Sequence, residues 1–252
     1  MIAATALERY LKDFLNCSDY NDYAPNGLQV AGIDSIHHLC TAVTASREVI
    51  NKTAELGGQA LLVHHGYFWR GEDPCIVGNK YQRIAGLFHN NINLFAYHLP
   101  LDCHTALGNN QGLAQALGIT VTDRISMGTH ADLLWIGQLD QPVTITAWTS
   151  IIHQALQREP LVINAGNHSI QKLAWCTGSA QDFIEKAAEF EVDAYLSGEI
   201  SERTFYQAKE LGVHYFACGH HATERFGVKA LGEHLSEEFD ILHTFIDTDN
   251  PV

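Results

Sequence analysis

Apolar runs of strand length alternate with segments of helical periodicity along most of this chain. The runs "LCTAVTA" (39–45), "ALLVHH" (60–65) and "NLFAYH" (93–98) are each followed by a helical pattern. The alternation resumes after residue 171 with "KLAWCTG", "DAYLSG" and "VHYFACG". Strand–helix–strand alternation requires parallel strands with helices on the faces of the sheet. We therefore predict an α/β fold with largely parallel sheets covered by helices.

The segment from about 129 to 166 is less regular and lies between two such series of strands; within it "ADLLWIGQL" and "LVINAG" predict strands and 143–157 predicts an amphipathic helix. A chain of 252 residues is long enough for one large domain or two modest ones. No linker rich in Ser, Pro and Gly separates the two halves. We predict two closely packed α/β lobes, 1–125 and 126–252, with a cleft between them.

Composition excludes several classes of function. Fifteen Lys and Arg against 29 Asp and Glu give a formal charge of −14, which disfavours binding to nucleic acid through a broad basic face. No apolar run approaches the roughly 20 residues that span a bilayer. The six cysteines form no C-x-x-C pair and are typical of reduced, buried thiols. We predict a cytoplasmic protein that does not bind membranes.

Side chains that commonly bind metals stand at three predicted strand ends. They are His64 and His65 at the end of the first, His98 and Asp102 after the second, and His220, His221 and Glu224 after the third. A single His-His pair is usually an exposed or core feature, but three such groups favour a common site. In open α/β sheets, ligands collect beyond the carboxyl ends of the strands.

The spacing of these residues favours two ions. His220 and Glu224 are four residues apart at a predicted helix start, so both can contact one ion. His64 and His65 are adjacent and reach one site only where the strand ends. Three imidazoles and two carboxylates exceed the three protein ligands of a one-zinc catalytic site. This mixed N/O set leaves Fe, Zn, Mn, Co and Ni open.

Six segments, in this order and spacing, resemble one family. They are "DYAPNGLQVAG", "LLVHHGYFW", "YHLPLDCHTALGNNQGLAQALGI", "WCTGSAQDFIEKA", "DAYLSGEIS" and "ACGHHATE". The chain is similar to the dinuclear metal-binding GTP cyclohydrolase 1 type 2 family, also called the Ngg-interacting-factor-three-like family, and in particular to its short bacterial YbgI-like branch. The resemblance covers the chain from about residue 19 to its end.

The resemblance implies a two-lobed protein with two metal ions in the cleft, assembled as a ring-shaped homohexamer. By motif matching, the metal ligands are His64, His65, Asp102, His220 and Glu224. His98 is expected close to the metals without necessarily binding them. Many relatives have Gly-Asp where this chain has Gly198-Glu199, so any substrate role of that position is open.

The family name suggests a metal-dependent hydrolase that opens the purine ring of a nucleotide, with a small anionic substrate such as GTP. His98 or His221 would then transfer protons as the catalytic histidines. The aromatic segment "GYFWRG" (66–71) could stack on a flat ring or form a subunit interface, and the interface is favoured. The alternative function is a ring-shaped metal-binding scaffold or partner-binding module without catalysis.

Overall fold

The predicted strands and helices form an α/β fold in the computed structural model, which describes residues 1–252. In chain order the strands are β1 (Ile2–Ala3), β2 (Gly27–Val30), β3 (Ser35–Ile36), β4 (His38–Thr44), β5 (Ala60–His65), β6 (Asn93–Ala96), β7 (Thr120–Met127), β8 (His130–Val143), β9 (Leu161–Ile163), β10 (Ile170–Cys176), β11 (Ala194–Ser197), β12 (His214–Ala217) and β13 (Leu242–Phe245). The helices are α1 (Ala4–Phe14), α2 (Arg47–Glu55), α3 (Gly78–His89), α4 (Leu99–Cys103), α5 (Asn109–Leu117), α6 (Ile145–Leu156), α7 (Ile184–Ala188), α8 (Glu202–Leu211), α9 (His220–Thr223) and α10 (Arg225–Phe239), with 3-10 turns at Cys17–Asp19 and Gln181–Phe183.

The chain divides into two compact units. Unit 1 contains residues 1–108 and 225–249, and unit 2 contains residues 109–224 and 250–252. This division differs from the sequence-based one at 125/126, because that boundary falls inside β7, whose partner is β8. It differs again near the end of the chain, where β13 pairs with β4 and so belongs to unit 1.

The main sheet of unit 1 has the strand order β13-β4-β5-β6-β2. Strands β13, β4, β5 and β6 are parallel, and only β2 is antiparallel to its neighbour. A short antiparallel pair, β1 with β3, forms a separate sheet. The predicted parallel sheet is therefore confirmed in this unit.

Helices cover both faces of this sheet, which explains why its strands read as nearly continuous apolar runs. Successive residues of β5 point to opposite faces. Leu62 packs with residues of α1 and α10, including Leu11 and Leu231. Leu61 and Val63 pack on the opposite face, with residues of α2 and α3. The two buried faces hold β5 rigidly, so the histidines at its end have defined positions.

The sheet of unit 2 has the order β7-β8-β10-β11-β12-β9 and is mixed. Only β10, β11 and β12 are parallel to one another. The predicted strand "ADLLWIGQL" lies within β8, which forms a long antiparallel hairpin with β7, a strand that was not predicted. Gly128 adopts a φ of +61° in the two-residue turn between Met127 and His130, a conformation that glycine adopts without strain.

No helix combines the length and apolar character needed to cross a bilayer.

Candidate metal centre

In unit 1, the carboxyl ends of β5 and β6 bring three predicted site histidines together. His64 and His65 end β5, and His98 follows β6 directly. One ring nitrogen from each of these three histidines lies within 4.8 Å of the others. His64 is fully buried, and His65 is half-buried. The predicted proximity of these strand ends is confirmed.

Helix α4 adds a carboxylate to this cluster. The carbonyl of His98 accepts hydrogen bonds from the backbone N–H groups of Leu101 and Asp102, which starts the helix immediately after the histidine. Asp102 Oδ1 then lies 3.4 Å from His64 Nε2, and Asp102 is 5% exposed. The cluster therefore combines imidazole nitrogens with a buried carboxylate, a donor set suited to divalent transition metals.

The histidines at the end of β5 are held through their Nδ1 atoms. His64 Nδ1 lies 3.0 Å from the carbonyl oxygen of Tyr97. Because a carbonyl only accepts, Nδ1 carries the proton and Nε2 keeps its lone pair. His65 Nδ1 lies 3.1 Å from the Thr44 hydroxyl at the end of the neighbouring strand β4. Such anchoring of the far ring nitrogen is typical of metal-binding histidines.

His98 is held by a carboxylate that the sequence analysis did not single out. His98 Nδ1 lies 2.9 Å from Asp22 Oδ1, and the His98 backbone N–H donates to Asn26 Oδ1 at 2.7 Å. Burial alone would raise the pKa of Asp22, but its hydrogen bond with His98 and the further donors around it lower the pKa to about 2. Asp22 is therefore ionised throughout the neutral range.

In unit 2, three adjacent parallel strands end around His220. The segments after β10, β11 and β12 supply Gly178, Glu199 and His220 respectively. The backbone hydrogen bonds between these strands continue beyond the strand ends. The Gly198 N–H donates to the Gly178 carbonyl at 2.8 Å, and the Gly219 N–H donates to the Gly198 carbonyl at 2.9 Å. This extension fixes the loops that carry the polar side chains.

His220 lies between two carboxylates. Its Nδ1 is 2.7 Å from Glu199 Oε1, and its Nε2 is 3.1 Å from Glu224 Oε2. Burial alone would lower the pKa of His220, but hydrogen bonds with Glu224 and Glu199 outweigh it and raise the pKa to about 9. A metal bound at Nε2 would displace that proton, so metal binding here would release a proton at neutral pH.

Gly178 leaves room for Glu224 and His220, the predicted ligands of unit 2. A Cβ at this position would lie 2.2 Å from Glu224 Oε1 and 3.3 Å from His220 Nε2. Its φ of +67° is also one that side-chain-bearing residues rarely adopt. The neighbouring Ser179 hydroxyl donates to Glu199 Oε2 at 3.0 Å. These two residues therefore shape and orient the cluster around His220.

His221, the other predicted catalytic histidine, is buried in unit 2 at 6% exposure. Its backbone N–H donates to the Val252 carbonyl at 2.9 Å. The catalytic roles of His98 and His221 stay predictions.

The carboxylates that hold His98 and His220 were not among the predicted site residues. Asp22 was quoted only as part of a family segment, and Glu199 was noted only as a departure from relatives. Asp22 and His98 are 76 residues apart, so no local spacing rule connects them. The usable signal was chemical, because a metal-site histidine normally needs a hydrogen-bond acceptor for its second ring nitrogen.

Comparisons with known proteins agree over nearly the whole chain. The family model described as Duf34/NIF3 (NGG1p interacting factor 3) matches residues 2–251. The chain is 48% identical over 248 residues to the GTP cyclohydrolase 1 type 2 homolog of Escherichia coli strain K12, covering 98% of each protein. It is 47% identical over 245 residues to the protein of that name from Allochromatium vinosum, covering 97% of this chain and 96% of that protein. The solved structure of protein ybgI is 46% identical, with a TM-score of 0.96 and complete coverage of both chains.

Proposed function

The chain belongs to the Duf34/NIF3 (NGG1p interacting factor 3) family, and from this membership and its two clusters we propose that it is a hydrolase dependent on two divalent metal ions. Membership confirms the resemblance drawn from the sequence. The proposed ligands are His64, His65, Asp102, His220 and Glu224.

The observation that supports metal binding most directly is the anchoring of the three ligand histidines. In each of them Nδ1 has a partner, namely the Tyr97 carbonyl, the Thr44 hydroxyl or the Glu199 carboxylate. Nε2 is consequently the ligand atom in all three, and its direction is fixed before any metal binds. Such preorganisation strengthens binding, since no rotamer freedom is lost on coordination.

The donor set fits Fe, Zn, Mn, Co or Ni, since it combines imidazole with carboxylate and contains no thiolate. Two divalent ions exceed the charge of the two proposed ligand carboxylates, Asp102 and Glu224. Asp22 and Glu199, which hold His98 and His220, offset this excess, so the metal ions themselves would be the local positive charges in a protein whose formal charge is −14. Ions with open coordination positions support a small anionic substrate.

Divalent ions at such a site supply Lewis acidity and make water a nucleophile near neutral pH. Within the protein, His98 Nε2 would accept a proton from the attacking water, because its Nδ1 is already engaged by Asp22. His221 is the second candidate for proton transfer. The relatives are named GTP cyclohydrolase 1 type 2 homolog, and on that name we propose a nucleotide-like substrate.

Metal content tests the proposal first. We expect close to two transition-metal ions per chain by mass spectrometry of protein purified without chelator. Glu224→Ala should lower that number, since Glu224 is a proposed ligand. Glu237→Ala is the matched control, because Glu237 is exposed on α10. Absence of bound metal after anaerobic reconstitution with Mn, Fe, Co, Ni and Zn would contradict the proposal.

Hydrolysis of nucleotides and phosphoesters by the metal-loaded protein tests the catalytic part. His98→Ala should lower the rate by about 10²–10⁴-fold, the usual contribution of one general base. The metal content of this variant should stay unchanged. A metal-loaded protein that hydrolyses none of these substrates would favour the scaffold function instead.

We also propose that the chain assembles as a ring-shaped homohexamer, as the family resemblance implies. Unit 1 exposes several apolar side chains on α3 and the segment before it, among them Val77 at 66% and Tyr81 at 57%. Exposed apolar groups close together are typical of surfaces that bind other proteins. This surface supports self-association.

A further inference from the structure

We infer that Asp22 is the positioning residue that holds His98 as a proton acceptor beside the metal cluster, by keeping the ring in the Nδ1–H tautomer with Nε2 directed at His64 and His65. This inference rests on the proposed hydrolase function and adds a residue to it. It concerns only side chains of unit 1.

The carboxylate of Asp22 is surrounded by hydrogen-bond donors. Its Oδ1 accepts from His98 Nδ1 at 2.9 Å and from the backbone N–H of Tyr23 at 2.7 Å. Its Oδ2 accepts from the backbone N–H of Leu99 at 3.0 Å and from Asn26 Nδ2 at 2.9 Å. A side chain with only 3% exposure and this many donors is fixed in orientation. The ionised carboxylate can accept a hydrogen bond from His98 Nδ1–H, but it cannot donate one.

The backbone of His98 is fixed through the same residues. Its N–H donates to Asn26 Oδ1, and the following N–H, of Leu99, donates to Asp22. The loop around Asp22 thus holds both the ring and the main chain of His98. The ring cannot turn Nδ1 toward the cluster without losing the carboxylate.

Two aromatic rings confine the imidazole from its sides. Tyr23 lies edge-on to the His98 ring with centroids 5.2 Å apart, and Trp69 lies nearly perpendicular to it at 5.1 Å. Arg70 links the segment of Trp69 to the segment of Tyr23. Its backbone N–H donates to the Tyr23 carbonyl at 2.7 Å, and its guanidinium donates to the Asp22 backbone carbonyl at 2.8 Å. These contacts leave Nε2 as the ring atom directed at the cluster.

A carboxylate behind an imidazole both selects its tautomer and stabilises the imidazolium that forms when Nε2 takes a proton. Asp22 supplies this arrangement to His98. The proton taken from water at Nε2 leaves a cation–carboxylate pair, and the Nδ1 proton stays on the ring. No redox partner or further reactant is needed for this transfer.

The tautomer can be measured directly, whether or not a substrate is known. Long-range ¹H–¹⁵N spectra of zinc-reconstituted protein identify the protonated nitrogen of each histidine ring, and His98→Ala assigns the signal. We expect wild-type His98 to carry its proton on Nδ1 alone. A ring protonated on Nε2, or exchanging between tautomers, would overturn the inference without bearing on metal binding by the other residues.

Asp22→Ala tests the role in proton transfer. We expect unchanged metal content and loss of the single tautomer of His98. For whichever nucleotide or phosphoester the wild-type protein hydrolyses, we expect a kcat at least tenfold lower with little change in KM. Added formate should restore part of the rate. A surface pocket of about 470 Å³ is lined by Asp22, Asn26 and Lys12 and gives a small carboxylate access to the deleted side chain.

Asp19→Asn is the control, since Asp19 is an exposed carboxylate in the same loop. Loss of metal from Asp22→Ala would overturn the inference, because Asp22 would then act on a ligand. Unchanged kcat would also overturn it.

If Asp22→Ala does not fold, the tautomer of His98 is measured in Asp22→Asn instead, and an unchanged single tautomer in that variant would overturn the inference. If the wild-type protein hydrolyses nothing, the hydrolase proposal fails, and the spectra still decide whether Asp22 selects the tautomer.

Discussion

Gly178 combines a positive φ with close contact to the ligand atoms of Glu224 and His220, and the two effects can be separated experimentally. Gly57 has a nearly identical φ of +70°, and a Cβ at that position would have no atom within 4 Å. Gly57→Ala would therefore lower the free energy of unfolding only through backbone strain at positive φ, by about 1–2 kcal/mol. We expect Gly178→Ala to lose metal as well as stability, and Gly57→Ala to lose stability alone.

Metal content and thermal unfolding of the two glycine variants check this prediction. Equal metal content in both would show that the space beside Gly178 is not needed for binding. A Gly178→Ala protein as stable as Gly57→Ala, with its metal intact, would mean that Glu224 can move away from the added methyl group.

Glu199 should strengthen metal binding through His220. A carboxylate acceptor at Nδ1 increases the electron density at Nε2, which is the proposed ligand atom. We expect Glu199→Gln to weaken metal binding by about 10–100-fold, as measured by competition with a chromogenic chelator. Glu202→Gln is the control, since Glu202 is exposed on α8. Equal affinities in the two variants would leave Glu199 without a role in binding.

The residues around the metal clusters differ in how far sequence can predict them. His64, His65 and His98 stand at the ends of apolar runs, so their convergence follows from the parallel sheet. Asp22 comes from a loop outside any run, and its contact with His98 depends on tertiary packing. For this reason the histidines were predicted and the carboxylate behind His98 was not.

Strand β13 carries a histidine whose burial opposes protonation. His243 Nε2 lies 2.9 Å from Thr41 Oγ1 on β4, and a Cβ at Gly232 of α10 would lie 2.1 Å from the ring. Burial, with the nearby His38 and Lys229, lowers the pKa of His243 to about 4. The unfolded chain therefore takes up a proton here at higher pH than the folded protein.

We expect this histidine to make unit 1 less stable as the pH falls from about 6.5 toward 4. Denaturant unfolding of chelator-treated protein at pH 7 and pH 5 measures the loss. His243→Gln should reduce the difference between the two pH values, whereas His89→Gln should not, since His89 is exposed. An equal difference in all three proteins would contradict the assignment to His243.

The hairpin of β7 and β8 shows where sequence patterns lose their predictive value. Strand β7 has no fully buried residue, and its sequence "TVTDRISM" lacks the apolar run that identifies interior strands. By contrast, every residue of β6, β11 and β12 is buried. The interior parallel strands were predicted for that reason, and the edge strand β7 was not.

Bound metal should stabilise the whole protein, because ions that bind only the folded state shift the unfolding equilibrium. Metal at 100 times its dissociation constant would add about 2.7 kcal/mol per site. We expect a higher Tm after reconstitution with Zn or Mn than after chelator treatment. Glu224→Ala should show a smaller increase than Glu237→Ala. An identical Tm with and without metal would contradict site-specific binding.

The proposed hexamer predicts a mass in solution of about six chains by light scattering. Replacing Val77 and Tyr81 together by lysine should reduce that mass, because charges would enter an apolar contact. Leu242→Lys is the control, since Leu242 is an exposed apolar residue on β13, away from α3 in sequence. A monomeric wild-type protein would contradict the proposal, and an unchanged hexamer in the double variant would place the contact elsewhere.

Unit 1 is discontinuous in sequence, and this has a consequence for synthesis on the ribosome. Residues 1–108 are made before residues 109–224, but β13 and the helix α10 that covers the sheet of unit 1 are made only after both. Until then β4 has an open edge, and Leu62 lacks the covering contacts of Leu231. Unit 2, apart from residues 250–252, is synthesised before helix α10 begins at Arg225. Of the two units, the one whose synthesis begins first is therefore the one that finishes folding last, and nascent chains of intermediate length should be the ones that most need a chaperone.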